Sequence, residues 1–220
     1  ILHELVSPQV VSVADVIQTG SRLYIVTEKG GEDLFEFFDE HPDGVPESWA
    51  KEIMKRILKG VHYCHENQIC HRDLKPENIL VSFDTEQGHC DDLKLCDFGL
   101  AAHFTAQQRF TDFCGSPGFF APEMVIKGAY FGDKADIWSC GCILLELVLG
   151  HEQFCEVWMT AYDYEVLQEK QVFVREIDAT VERLASSLDF SDDLNDFVLK
   201  FLDLRASGRP DIRSMLHHPW

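Results

Sequence analysis

The chain has 220 residues, 45% hydrophobic and 26% charged, which is the ordinary composition of a globular protein with a sizeable core. Nineteen Lys and Arg against 38 Asp and Glu give a formal net charge of −19, and this balance argues against a nucleic-acid binder. On composition alone, the acidic surface is better explained as a solvated exterior than as a docking site for basic partners.

The eight cysteines are expected to be free thiols in a reducing compartment, the cytoplasm or the nucleus. The N-terminal "ILHELVSPQV" lacks the basic segment and apolar run of a signal peptide. The gaps between cysteines and histidines do not match a zinc spacing. The longest apolar run, "CGCILLELVLG" (Cys140–Gly150), is too short to span a membrane and is typical of a central core helix.

The first elements along the chain are predicted to be a β-hairpin and two helices. Apolar and β-branched residues in Val10–Ile17 and Leu23–Glu28 flank a "TGS" turn, which favours a hairpin. A short helix should begin near Asp33. A long amphipathic helix should follow, because apolar residues recur there at helical spacing. These residues are Trp49, Ile53, Ile57, Val61 and Cys64.

The middle of the chain predicts two short strands, Ile79–Val81 and Leu93–Cys96, joined by a polar hairpin loop. Residues 97 to 123 show no convincing period, and so long an irregular segment in a compact domain usually carries function. After Asp136 the pattern is helical, and the last clear helix begins at about Asp192. The predicted class is α+β, with a small β-containing start and a mainly helical body.

Polar side chains are concentrated in "ICHRDLKPENILVS" (Ile69–Ser82), between two apolar runs. Asp73 is predicted in a turn between helix and strand, with Asn78 five residues later and Asp97 after the next strand. Carboxylate and amide oxygens are ligands that Mg²⁺ accepts, usually together with water and phosphate oxygens. The pattern therefore indicates nucleotide phosphate chemistry.

The motifs "HRDLKPEN", "DFG", "APE" and "DIWSCGC", in this order, resemble the eukaryotic protein kinases over essentially the whole chain. The lysine of "DLKPEN" is similar to that of serine/threonine kinases. The stretches "GSPGFFAPE" and "HHPW" are most similar to the calcium/calmodulin-dependent branch. The resemblance implies a protein-kinase-like fold, ATP and Mg²⁺ as cofactors, and phosphoryl transfer to serine or threonine of protein substrates.

Catalytic roles follow from the resemblance. Asp73 would orient the substrate hydroxyl and accept its proton, and Lys75 would offset charge on the transferred phosphate. Ser116 would bond to both of these residues. Asn78 and Asp97 would hold Mg²⁺.

The resemblance also implies a nucleotide pocket and two structural contacts. Leu80 would lie beneath the adenine, the backbone from Glu28 to Gly30 would form the hinge that bonds to it, and Thr27 would guard the back of the pocket. His71 is expected to be a packed residue in a hydrophobic column anchored by Asp136, together with Phe98, Leu2 and Val13. A buried ion pair is expected between Glu123 and Arg209.

Substrate preference and regulation are two further expectations from the resemblance. Asp33, Glu77 and Glu146 match acidic positions that bind arginines of basic substrates, although ordinary solvated carboxylates would explain them equally simply. Arg72 would pair with the activation segment. Asp112 stands at the usual phosphoacceptor position and would partly replace a phosphate, and Thr111 is the alternative acceptor.

Three features of a kinase do not occur in this sequence: a glycine-rich loop over the nucleotide phosphates, a strand lysine that binds them, and a helix glutamate that holds this lysine. Residues 1–28 are therefore expected to be a remnant of the N-terminal lobe, and residues 29–220 the C-terminal lobe. The favoured interpretation is a fragment of an active kinase with little activity of its own. The alternative is a catalytically inactive interaction module.

Overall fold

The structure, a computed structural model, describes residues 1–187 and 190–220, with the backbone alone at 186–187. A small β-containing part precedes a mainly helical body, which confirms the predicted α+β class. The strands are β1 (Val13–Gln18), β2 (Leu23–Thr27), β3 (Glu32–Asp33), β4 (Ile69–Cys70), β5 (Ile79–Asp84), β6 (His89–Leu95) and β7 (Ala102–His103). The α-helices are α1 (Leu34–Glu40), α2 (Glu47–Glu66), α3 (Pro122–Ile126), α4 (Gly132–Leu149), α5 (His151–Val157), α6 (Tyr164–Gln168), α7 (Lys170–Ser187), α8 (Asp192–Phe201) and α9 (Ile212–Leu216).

The predicted N-terminal hairpin is confirmed, since β1 and β2 pair in antiparallel fashion. Its first strand begins at Val13 rather than Val10, because Val10 and Val11 instead pair with Leu95 at the end of β6. Large apolar side chains of the hairpin are exposed. They are Val16, Ile17, Leu23, Tyr24, Ile25 and Val26.

The body is built around α4, which is buried on nearly every side, as the apolar run predicted. Gly141 is needed at its centre because a Cβ there would lie 2.5 Å from Phe201 Cβ of α8. Asp136 and Glu146 are buried carboxylates in this helix, so each requires polar partners. Across the described residues, no helix combines the length and apolarity needed to cross a membrane.

The long helix α2 packs its apolar stripe, which includes Ile53, Ile57 and Val61, into the same core. Its predicted amphipathic pattern is confirmed. The three-stranded sheet has the order β3-β5-β6 and lies against α2. The predicted hairpin between β5 and β6 is also confirmed, but its strands are longer than expected, since β5 extends to Asp84 and β6 begins at His89, inside the predicted polar loop.

Two-residue strands complete the frame of the candidate site. β4 pairs with β7 through Ile69↔His103 and Cys70↔Ala102, which ties the stretch before Asp73 to the segment after Asp97. Sequence patterns missed this pairing because a two-residue strand has no detectable period.

All eight cysteines are free thiols, as expected. Burial raises the pKa of both Cys90 and Cys96 to about 11. Thiols with pKa values this high stay protonated near neutral pH, so these two side chains are poor nucleophiles.

Candidate active site

The loop that carries Asp73 is anchored to the buried carboxylate of Asp136 in α4. Asp136 Oδ2 accepts from the His71 backbone N–H at 2.9 Å, and Oδ1 accepts from the Arg72 backbone N–H at 2.8 Å. His65 Nε2 lies 2.8 Å from the same carboxylate. The His71 ring packs on Phe98 with centroids 4.7 Å apart, which confirms it as a packed residue.

Asp73 is held by two polar side chains. The Ser116 hydroxyl donates to Asp73 Oδ1 at 2.9 Å. The Asn78 amide donates to the Asp73 carbonyl at 2.8 Å and to Asp73 Oδ2 at 3.3 Å. Because the amide nitrogen is used in these bonds, the amide oxygen of Asn78 is the atom left to bind a cation.

The register of the β5–β6 hairpin brings Asn78 and Asp97 together. Ile79 pairs with Leu95, and the Cys96 N–H donates to the Asn78 carbonyl at 3.0 Å, so Asp97 follows directly beside Asn78. Asp97 has a left-handed backbone, with φ of 54°, and its carboxylate accepts from the Gly99 N–H at 3.2 Å. A carboxylate and a free amide oxygen on adjacent strand ends fit the hard oxygen ligands of Mg²⁺.

Backbone strain is concentrated at this site. Of the described residues other than glycine, three have positive φ: Gln68, Arg72 and Asp97. Two of these belong to the predicted site. A strained backbone costs about 1–3 kcal/mol per residue and is often retained where function requires it.

The predicted nucleotide residues lie at the junction of the hairpin and the body. Gly30 lies against the Leu80 side chain. The approach is so close that a Cβ at position 30 would collide with Leu80. The Glu28 N–H donates to Ser12 O at 3.0 Å, while Thr27 is exposed at the end of β2. The pKa of Glu28 is lowered, since its carboxylate accepts from the Ser12 N–H and contacts Lys94.

Lys75 and two of the three predicted substrate carboxylates have local partners. The Lys75 ammonium lies 3.7 Å from Glu77, whose side chain is about half exposed. Asp33 caps α1 by accepting from the Glu36 N–H at 2.8 Å. A cap at this position accounts for an acidic residue without any substrate, so Asp33 is the weakest of the three candidates.

Glu146 differs from the other two because its side chain is 2% exposed. His151 Nδ1 lies 2.7 Å from Glu146 Oε1, and among the described residues no donor reaches the buried Oε2. Burial raises the pKa of Glu146 to about 7, against the lowering effect of His151, and the negative charge of nearby Glu77 raises it further. A buried carboxylate with an unpaired oxygen is a favourable site for an added cation.

Sequence reasoning missed His151. The residue follows Gly150, and its contact with Glu146 depends on how α5 turns away from α4. Phe35 of α1 packs edge-on against the His151 ring, with centroids 5.1 Å apart. The only local signal was a histidine next to a turn glycine, which is too common to indicate a site.

Arg72 and Asp112 form the contact expected from the resemblance. Arg72 Nη1 lies 2.6 Å from Asp112 Oδ2, and Arg72 Nε donates to the Leu100 carbonyl at 2.8 Å. Tyr130, a second residue that sequence reasoning missed, donates its hydroxyl to the Asp112 carbonyl at 3.1 Å. Thr111, the alternative acceptor, is exposed.

The expected ion pair in the core is also present. Arg209 donates two hydrogen bonds of 2.8 Å each to the Glu123 carboxylate, and both side chains are buried. The guanidinium also lies over the Trp138 ring, 4.8 Å from its centroid. This pair joins α3 to the segment before α9.

Known proteins resemble this chain over most of its length. Human SNF-related serine/threonine-protein kinase is 33% identical over 214 residues, which cover 97% of this chain and 26% of the relative. CBL-interacting protein kinase 4 of Oryza sativa subsp. japonica is 32% identical over 225 residues, which cover 100% of this chain and 45% of the relative. Mouse Cyclin-dependent kinase-like 5 is 36% identical over 155 residues, which cover 70% of this chain and 16% of the relative. The chain thus spans less than half the length of these relatives.

The family model described as "Protein kinase domain" matches residues 1–220. This match agrees with the α+β architecture and with the motif order around Asp73, Asn78 and Asp97. We conclude that this chain belongs to the protein kinase family.

Proposed function

We propose that the protein containing this chain transfers the γ-phosphate of ATP to serine or threonine of protein substrates. Protein kinases use ATP and Mg²⁺. The observation that carries the proposal is the hydrogen-bonded link from Asp73 to Asn78 and from Asn78 to the strand end that bears Asp97. The test is Mg²⁺-dependent phosphate transfer from ATP to a serine peptide, with the tyrosine version of the same peptide as the control.

In this proposal, Asp73 accepts the proton of the substrate hydroxyl. Its carboxylate is already oriented by Ser116 and Asn78, so little reorganisation is needed when the substrate binds. Lys75 lies two residues further along the loop, where its ammonium would stabilise negative charge on the transferred phosphoryl group. Asn78 and Asp97 would hold the metal, which neutralises phosphate charge when bound.

We further propose that these 220 residues alone have little or no activity. The strand lysine and glycine-rich loop of a kinase do not occur in the sequence, and residues 1–28 would contribute only part of an N-terminal lobe. A two-stranded hairpin is marginally stable by itself, and this one exposes Ile25 and Leu23 among other apolar side chains. Additional packing over the hairpin would bury this face.

We also propose that the kinase prefers substrates with basic residues near the phosphoacceptor. The support for this preference is Glu146, whose buried Oε2 has no hydrogen-bond partner among the described residues and whose carboxylate lies near the negative charge of Glu77. A guanidinium would satisfy the Glu146 oxygen by a charge-assisted hydrogen bond. We therefore expect an arginine upstream of the phosphoacceptor to strengthen binding. The similarity to the calcium/calmodulin-dependent branch remains a prediction.

The affinity for an arginine peptide is expected to rise with pH. The pKa of Glu146 is about 7, so the carboxylate is mostly neutral below that pH and mostly ionised above it. Because a guanidinium binds the ionised form, KM for the arginine peptide should fall about tenfold from about pH 6 to about pH 8. The measurement is steady-state phosphorylation of this peptide across that range by the kinase that contains this chain.

Two controls identify the titrating group, since His151, Glu77 and Cys155 also lie around this carboxylate. Glu146→Gln should remove the pH dependence of KM, whereas His151→Asn should keep it with its midpoint moved to higher pH, because His151 lowers the pKa of Glu146. An alanine-for-arginine peptide should show no such dependence with the unmodified protein. Equal pH profiles for the arginine and alanine peptides would contradict the assignment.

We propose that Asp112 reduces the dependence on phosphorylation of the activation segment. Its carboxylate already contacts Arg72, although it carries less charge than a phosphate. Asp112→Ala should lower kcat by roughly fivefold, as expected for loss of a partly exposed ion pair. The measurement is the initial rate with protein verified as unphosphorylated by mass spectrometry.

Thr111→Ala is the matched control, because Thr111 is the adjacent exposed residue and the alternative acceptor. The rate should be unchanged in this variant. If phosphorylation raises the rate of the unmodified protein but not that of Thr111→Ala, and Asp112→Ala does not lower the unphosphorylated rate, the regulatory role belongs to phosphorylation of Thr111 instead.

A further inference from the structure

A cavity of about 760 Å³ lies between the segment that follows β7, the loop from α3 to α4 and the loop before α9. Apolar side chains, including Phe104, Ala129 and Phe131, contribute to its wall. Within the described residues, none of Asp73, Asn78 and Asp97 lines it. Its size is within the range of cavities that enclose several groups of a ligand, about 300–1,000 Å³.

The lining of this cavity is basic, in a chain whose net charge is −19. Of the 19 lysines and arginines of the chain, four line the cavity: Arg109, Lys127, Lys134 and Arg205. The Lys134 ammonium donates to the Arg209 carbonyl at 2.7 Å, and the Arg109 guanidinium lies 5.0 Å from the centroid of the Phe131 ring. Lys127 is exposed and has no ion-pair partner among the described residues.

The acidic side chains at the cavity do not balance these cations. Glu123 is already committed to its bidentate pair with Arg209. Asp133 is the other carboxylate of the lining, and Arg205 pairs with Asp203 at 3.2 Å. The Asp211 carboxylate also interacts electrostatically with Lys134, so the three cations Arg109, Lys127 and Lys134 still outnumber the two nearby carboxylates, Asp133 and Asp211.

We propose that this cavity binds an acidic peptide segment of a partner protein, with an apolar side chain in the cavity and its flanking carboxylates on Arg109, Lys127 and Lys134. Charge complementarity supports a short acidic peptide rather than a nucleic acid. A polyanion would extend past these few cations onto a surface that is acidic overall, where it would be repelled. The apolar wall supports an aromatic or aliphatic side chain between the carboxylates, because burial of that side chain would add to the charge pairing.

The test is fluorescence anisotropy of a fluorescein-labelled Glu-Glu-Phe-Glu-Glu peptide titrated with the full 220-residue chain. Saturable binding that weakens with added salt is expected. Lys127→Glu should weaken binding roughly fivefold, and the double variant Arg109→Glu, Lys127→Glu more than about tenfold. Lys127→Arg should bind like the unmodified chain. Circular dichroism melting curves verify that each variant is folded.

The matched control is Lys59→Glu, which makes the same change of charge at an exposed lysine of α2 outside the cavity. It should leave the affinity unchanged. Three further probes are a Glu-Glu-Ser-Glu-Glu peptide, a Lys-Lys-Phe-Lys-Lys peptide and a single-stranded oligonucleotide, and all three should bind more weakly. The proposal is overturned by no saturable binding, by equal weakening in Lys59→Glu and Lys127→Glu, or by tighter binding of any of the three probes.

Discussion

Replacing Asp73 with asparagine, in the kinase that contains this chain, is expected to lower kcat by about 10²–10⁴-fold. The amide cannot accept the proton of the substrate hydroxyl. It can still pair with both neighbours, because its amide oxygen can accept from the Asn78 amide while its NH2 donates to the Ser116 hydroxyl, which can act as donor or acceptor. The loss should therefore be chemical rather than structural. The measurement is the single-turnover rate of phosphate transfer to a serine peptide.

Binding of Mg·ATP should be nearly unaffected by this substitution, since Asn78 and Asp97 are the proposed metal ligands and Asp73 is not. Asp97→Asn is the contrasting variant and should weaken Mg·ATP binding itself. A full rate of transfer with Asp73→Asn would contradict the assigned role. If both variants leave partner binding intact and the unmodified kinase shows no transfer at all, the chain is better explained as an inactive interaction module.

Replacing Arg209 with alanine is expected to destabilise the fold by about 3–5 kcal/mol. The substitution leaves the Glu123 carboxylate buried without its bidentate partner. It also removes the hydrogen bonds from Arg209 to the carbonyls of Asp203 and Lys134, and the contact of the guanidinium with Trp138. Urea denaturation followed by circular dichroism measures the change in the free energy of unfolding.

Arg205→Ala is the matched control, because Arg205 is four residues away, is 82% exposed and pairs with Asp203 on the surface. Arg205→Ala should lower the free energy of unfolding by at most about 1 kcal/mol. Glu123→Gln provides a second measurement of the same pair, since it keeps the shape of the side chain but leaves Arg209 as an unpaired buried charge. Similar stabilities for Arg209→Ala and Arg205→Ala would show that the buried pair does not stabilise the fold.

The candidate catalytic loop could be located in the sequence because its polar residues lie in short segments. Asp73 and Asn78 lie five residues apart on one loop, and Asp97 follows a strand whose partner begins one residue after Asn78. Hairpin pairing alone brings such positions together. The local patterns also predicted α2 and α4, since an apolar pattern sustained over many residues identifies a helix more reliably than a short one.

Contacts between residues that are distant in sequence could be predicted only through the family resemblance. The contact of Arg72 with Asp112 joins residues 40 positions apart, and that of Arg209 with Glu123 joins residues 86 positions apart. Neither the periodicity nor the composition of a sequence predicts which distant residues will contact each other. The predicted hairpin start, Val10, was wrong by three residues for a related reason, since Val10 and Val11 pair with the distant Leu95 and β1 begins at Val13.

The order of the motifs, the acidic composition and the helical periods are properties of the chain itself, so the sequence determined the class of fold and indicated the residues of the candidate catalytic loop. Only the tertiary structure decided that Glu146 is buried beside His151 and that Arg109, Lys127 and Lys134 line one cavity. Burial and charge clustering depend on which faces of α4, α5 and the connecting loops meet. The faces that meet are determined by packing across the whole helical body, in which side chains contact neighbours far from them in sequence.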